Sequence, residues 1–163
     1  IAGVPFLEAL GALRDEQKRG RIRHIALSNV GTKEILAALE DGPIVAVQNA
    51  YNVSGGSGEI IQRTHAQVHD PDAVLELCTK RGIAYLPFFP LAVGQHERVR
   101  PALATIAKAH GATPAQVALA WLLARSPVML PIPGTSSPEH LEENWAARKV
   151  ALTPAEIESL AAP

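Results

Sequence analysis

Short apolar runs alternate with helical patterns along most of this 163-residue chain, and that alternation constrains the fold more than any other feature. Phe6, Leu7, Leu10 and Leu13 recur at helical spacing, and Gly20 follows Lys18 and Arg19 as a stop. Ile22 to Leu27 then reads as a strand that ends in Ser28-Asn29-Val30-Gly31, after which Thr32 opens the amphipathic stretch KEILAALE. Three further apolar runs, Ile44 to Val47, Ile83 to Phe88 and Val128 to Ile132, repeat the theme, with a helix predicted near Pro71 to Lys80. Two helices fill the interval before the last run: PALATIAKAHG stops at Gly111, and Thr113-Pro114 starts AQVALAWLLAR. Thr153-Pro154, with Glu156 in capping-box position, begins a short final helix. Such alternation predicts about four parallel strands joined by crossover helices, which is an α/β fold.

Composition narrows the function classes. Charged residues make up 19% and the net charge is −1, so no general field and no Lys/Arg cluster attracts nucleic acid. No apolar stretch approaches the ~20 residues of a membrane span, so no membrane partner is expected and a cytoplasmic location is the expectation. The single cysteine, Cys78, falls in the apolar run AVLELC and reads as a buried thiol on a helix. His65 and His69 have i, i+4 spacing but no third ligand, so no metal site is assigned. The one long loop-like stretch runs from Val53 to Asp70, and reads either as a substrate-facing element or as a solvated insertion.

The segments GRIRHIALSN, VAVQNAYN, GIAYLPFFPLA and LPIPGTSSPEHLEEN, with GATPAQVALAWLLAR before the last, resemble the fifth to eighth strands and following loops of the aldo-keto reductase family. The likeness covers nearly the whole chain. It implies a (β/α)8 TIM-type barrel, of which residues 1–163 form the C-terminal half, the NADP-dependent oxidoreductase domain. A complete barrel of this type takes about 250 residues.

Barrels of this class bind ligands at the carboxyl ends of their strands, with phosphate at the last loops. Here Gly134 allows close backbone approach, and Thr135, Ser136 and Ser137 offer hydroxyls and amides just before a predicted helix from Pro138 to Asn144. A plain helix cap is the alternative. By the resemblance, Gly134, Thr135 and Ser136 contact the adenosine phosphate end of a nicotinamide cofactor, and Glu143 and Asn144 its adenine. Ser28, Asn29 and Gln48 resemble the residues that hydrogen-bond the carboxamide, where neutral donors and acceptors suit an uncharged amide. Phe88 falls where a ring stacks on the nicotinamide, and Phe89, Pro90, Leu91 and Ala92 match the loop passing the pyrophosphate. For single residues, an ordinary turn at Ser28-Asn29 and a core aromatic at Phe88 are the alternatives. His140 stands where the family often has an arginine for the 2′-phosphate; lacking that bidentate fork, it leaves NAD open beside the implied cofactor NADP (NADPH).

The family's chemistry uses a Tyr general acid with Lys, Asp and His, all before the fifth strand. This sequence opens at Ile1 in what resembles the fourth helix, and Tyr51, Tyr85, His24 and Lys33 hold none of those positions. The expectation is therefore a fragment with no catalytic residue, inactive alone, whose parent is an oxidoreductase reducing a small-molecule carbonyl substrate with NAD(P)H. A non-catalytic nicotinamide-binding redox sensor or regulatory subunit, resembling potassium-channel β subunits, is the alternative, and a ligand-free assembly unit the third reading. Open barrel edges predict self-association.

Overall fold

The computed structural model describes residues 3–54, 69–91 and 99–161. Most of the loop expected from Val53 to Asp70, His65 with it, and Ala92 lie outside the described residues.

Three strands, β1 (Ala26–Ser28), β2 (Ala46–Ala50) and β3 (Ala84–Phe88), form one parallel sheet in chain order. Helix α1 (Phe6–Lys18) precedes them, α2 (Thr32–Glu40) joins β1 to β2, and α3 (Pro71–Arg81) leads into β3. Beyond β3 come α4 (Arg100–His110), α5 (Pro114–Arg125), α6 (Pro138–Ala146), a 3-10 turn at Ala147–Lys149, and α7 (Pro154–Ala161). Strands that neighbour one another in chain order, without a reversal, place successive crossovers on one side of the sheet. Burial agrees with that geometry. Leu27, Val47 and Tyr85 are buried with Ile35, Val74, Cys78, Val117 and Leu122 from the helices. Each such fully buried side chain contributes about 1.5–3 kcal/mol.

The other sheet face is open to differing degrees. Its first row is Ala26, Ala46 and Ala84, paired in register, and its next is Ser28, Gln48 and Leu86. Side chains alternate along a strand, so Ala50 and Phe88 share this face.

Local chemistry sets the helix ends. Asp70 accepts from the Asp72 and Ala73 amides ahead of Pro71, and Gly82 closes α3 in the left-handed region at φ 65°. The expected start of α5 is found: Thr113 Oγ1 accepts from Gln116 N at 3.2 Å while Gln116 Oε1 accepts from Thr113 N at 3.0 Å. Thr153 and Glu156 do the same for α7. At α2 the cap is Gly31 rather than Thr32, and Glu34 reaches back to the Gly31 amide at 3.0 Å.

The strands differ from expectation in length, β3 only in starting at Ala84 rather than Ile83. β1 and β2 begin later than the apolar runs because Arg23 and His24 are exposed and Pro43 has no N–H. β2 instead continues through polar Gln48 and Asn49, whose backbones are paired to β3. The run expected from Val128 to Ile132 is reduced to one parallel bridge, Tyr85 with Met129, through Tyr85 N to Val128 O and Leu130 N to Tyr85 O, both 2.8 Å. Proline explains the truncation. The next donor toward this neighbour belongs to Pro87, which has none, and Pro131 and Pro133 interrupt the other chain. Pro87 does no harm on the β2 side, where Ala84 supplies the donor to Val45 O at 3.1 Å.

Tyr85 is fully buried and its hydroxyl has no hydrogen-bond partner among the described residues. Burial pushes its pKa far above the ordinary tyrosine value. Tyr85→Phe is accordingly expected to stabilise the chain by about 1 kcal/mol, since a buried hydroxyl without a partner carries an uncompensated desolvation cost. A urea midpoint equal to or below that of the unsubstituted chain would contradict this.

Candidate functional site

Polar groups gather where the strands end. Ser28 closes β1, and its pairing partner Gln48 sits on the same open face of β2. Ser28 is exposed and Gln48 half-buried, and neither side chain hydrogen-bonds another described residue. One step along β3 from Leu86, the Phe88 ring stands half-buried on that face, edge to face with Phe89 at 5.3 Å between ring centres. Ser28, Gln48 and Phe88 are thus brought to one surface.

The turns behind these residues are strained. Asn29 follows β1 at φ 55° and Phe89 follows β3 at φ 52°, the two described non-glycine residues in the left-handed region. Asparagine tolerates that conformation, whereas for a bulky ring it is costly. Such outliers persist where the surroundings fix them, and the β1 turn shows how. Asn29 N donates to Gln48 O at 3.1 Å. Asn49, buried on the helix side of β2, accepts from Val30 N at 3.1 Å and donates to Val30 O at 2.7 Å. His69 Nε2 lies 3.3 Å from Asn29 O.

Asn49 and His69 were missed by sequence reasoning. A signal existed for the first: Gln48 and Asn49 are adjacent in a strand, so one of them must face the core, where a polar side chain requires partners. None existed for His69, which acts across 40 residues of sequence.

Gly134, Thr135, Ser136 and His140 form a separate, exposed group at the start of α6. Ser137 is the helix cap, accepting from His140 N at 3.3 Å, and Thr135 Oγ1 accepts from Ser137 N at 3.1 Å. Space beside Gly134 is open. Glu143 faces α5 instead: its carboxylate accepts from the Thr113 hydroxyl, and its carbonyl accepts from Gln116 Nε2 at 3.1 Å. Asn144 is half-buried beside it, and of the loop after β3 Pro90 is buried while Leu91 packs partly against the core.

A second polar cluster lies on the helix side of the sheet. Tyr51 donates to Asp72 Oδ1 at 2.6 Å and accepts from Arg125 Nε at 3.0 Å, while Arg125 also reaches Asp72 at 2.7 Å. Its burial, with the bond to Asp72 next in size, raises the Tyr51 pKa well above the ordinary value. The Tyr51 ring stacks on Trp121 at 5.8 Å. Cys78 is a buried thiol in α3, as expected, and burial pushes it up to about 11. No group of three metal-binding side chains occurs among the described residues. No described helix is long and apolar enough to cross a membrane.

A parallel sheet in chain order with helices over one face is the arrangement of a section of a parallel α/β barrel. The profile of the aldo/keto reductase family matches residues 2–162, and the chain belongs to that family. Pyridoxine 4-dehydrogenase of Escherichia coli (strain K12) is 43% identical over 145 residues, 89% of this chain and 46% of that protein. A thermostable aldo-keto reductase solved with the inhibitor epalrestat has a TM-score of 0.81 at 32% identity, with 99% of this chain and 56% of that one covered. An aldo-keto reductase from Klebsiella pneumoniae in complex with NADPH gives 0.75 at 26% identity, covering 98% of this chain and 54% of that one. The chain spans about half the length of the relatives it matches.

Proposed function

We propose that this chain is the cofactor-binding half of an aldo-keto reductase barrel, its strands corresponding to the fifth to eighth, and that the whole protein interconverts small carbonyl compounds and alcohols using NADP(H). The observation that carries the reading is the pairing of Ser28 with Gln48 on the open sheet face, neither side chain bonded to another described residue, beside the Phe88 ring. That set suits a flat, neutral carboxamide: hydroxyl and amide for its polar edge, an aromatic face for its ring. The NADPH complex of the Klebsiella relative supports the same cofactor.

Gly134, Thr135 and Ser136 offer an open, hydroxyl-rich helix start for the phosphate of the adenosine end, with His140 and Asn144 alongside. Glu143 serves the adenine only through the carboxylate oxygen that Thr113 leaves free. In this reading Phe89 to Ala92 pass the pyrophosphate. Bound NADPH supplies the hydride. Tyr51, Tyr85, His24 and Lys33 match none of the positions expected to move the proton, so in this reading this half holds the dinucleotide and is assigned no proton-transfer step.

Titration of the purified chain with NADPH, following reduced-nicotinamide fluorescence, tests this. Saturable binding should weaken about three- to tenfold in Ser28→Ala and again in Gln48→Ala, the effect of one net hydrogen bond each. Binding that both substitutions leave unchanged would remove the carboxamide site.

A further inference from the structure

We propose that His69 is a positioning residue for the cofactor site: its imidazole clasps the turn after β1 and so sets where Ser28 and Asn29 meet the nicotinamide. The proposal rests on the reading of those two residues as carboxamide contacts.

The first observation is that His69 Nε2 sits 3.3 Å from the carbonyl oxygen of Asn29, whose backbone is left-handed at φ 55°. A carbonyl only accepts, so Nε2 carries the proton. Second, His69 lies against Gly31. A Cβ built on that glycine would come within 2.6 Å of His69 Nδ1 and 3.1 Å of Cε1. The backbone does not explain the glycine. Gly31 has φ −92° and ψ −179°, an extended conformation open to any residue. Its missing side chain is instead the slot that admits the ring. Nor is the slot free to shift, because Glu34 Oε2 holds the Gly31 amide at 3.0 Å.

The turn is thereby tied at three successive residues: Asn29 by His69 and by Gln48 O, Val30 by Asn49 and Gly31 by Glu34. Asn49 and Glu34 act from β2 and α2, the elements flanking the turn. Among the described residues, His69 is the one that reaches it from outside those elements, and it adjoins Asp70, which caps α3. Losing the clasp loosens the carbonyl side of Asn29, which the bond from its amide to Gln48 O at 3.1 Å does not hold, and so shifts the residues that meet the carboxamide.

The test is a cycle of His69→Ala, His69→Gln, Gly31→Ala and the double variant His69→Ala/Gly31→Ala, titrated with NADPH and followed by hydrogen exchange over residues 28–31. His69→Ala is expected to weaken binding about five- to tenfold, and His69→Gln, which keeps an N–H donor, to recover most of it. Gly31→Ala should weaken binding at least as much as His69→Ala, because its methyl expels the ring and also comes within 3.1 Å of Glu34 Oε2. The double variant should be no weaker than Gly31→Ala alone, since both changes abolish the same contact with His69. Unchanged affinity in His69→Ala, or additive losses in the double variant, overturns the proposal. If the unsubstituted chain binds neither NADPH nor NADH, the carboxamide reading fails by itself. Exchange then decides on the clasp: acceleration over 28–31 in His69→Ala upholds it, and no change overturns it.

Discussion

Replacing Asn49 with leucine is expected to destabilise the chain by about 2–4 kcal/mol, although the two side chains are close in size. The side chain is buried and makes two hydrogen bonds to one residue, with Val30 N at 3.1 Å and Val30 O at 2.7 Å. Leucine satisfies neither group, and Val30 is itself buried, so a donor and an acceptor are left without water or protein partners. Each orphan costs about 1–3 kcal/mol. The asparagine also holds the turn that carries Asn29 in its left-handed conformation, so NADPH affinity should fall with stability. Urea unfolding at constant slope is the measurement. A loss below about 1 kcal/mol would mean that the turn does not depend on Asn49.

Trp121→Ala is expected to cost about 3–5 kcal/mol, the range for truncating a buried aromatic. Trp121 is buried in α5, stacks on Tyr51 at 5.8 Å and donates from Nε1 to Ile157 O at 3.1 Å. It therefore ties the sheet to α7 as well as filling space. Trp121→Phe keeps the stacking and loses the bond to α7, so its cost should be near 1 kcal/mol. Hydrogen exchange in Pro154–Ala161 should accelerate in both variants. If the two substitutions cost the same, the ring's volume and its contact with Tyr51 contribute nothing, which would contradict the packing described.

Periodicity made most of the fold legible. The caps at Thr113 and Thr153 and the stop at Gly111 are local devices, readable because their partners lie within a few residues. Strand boundaries were less so. Apolar runs mark burial, whereas a strand is bounded by its hydrogen bonds, so β2 runs on through Gln48 and Asn49 and the segment at Val128 stops at one bridge. Pro87, Pro131 and Pro133 stood in the sequence, but their effect depends on which neighbour each N–H position faces, a property of register.

The site divides in the same way. Ser28, Gln48 and Phe88 were named through the resemblance to the family, and their shared face follows from alternation. The long-range contacts were not. His69 and the Tyr51–Asp72–Arg125 cluster join residues 21 to 74 positions apart, and no local pattern encodes such meetings. Glu143 shows the converse, since its contact with Thr113 depends on how α6 lies against α5.

The row of three alanines across the sheet has a stereochemical consequence of its own. Ala26, Ala46 and Ala84 lie level with one another, one step before the larger Ser28, Gln48 and Leu86. The open face is thus stepped, a methyl-deep trough beside a ridge. Protein interiors fill to crystal-like density, so a surface that closes over this face must present large side chains opposite the alanines and small ones opposite the ridge. The chain therefore carries, in negative relief, the size pattern of whatever covers it.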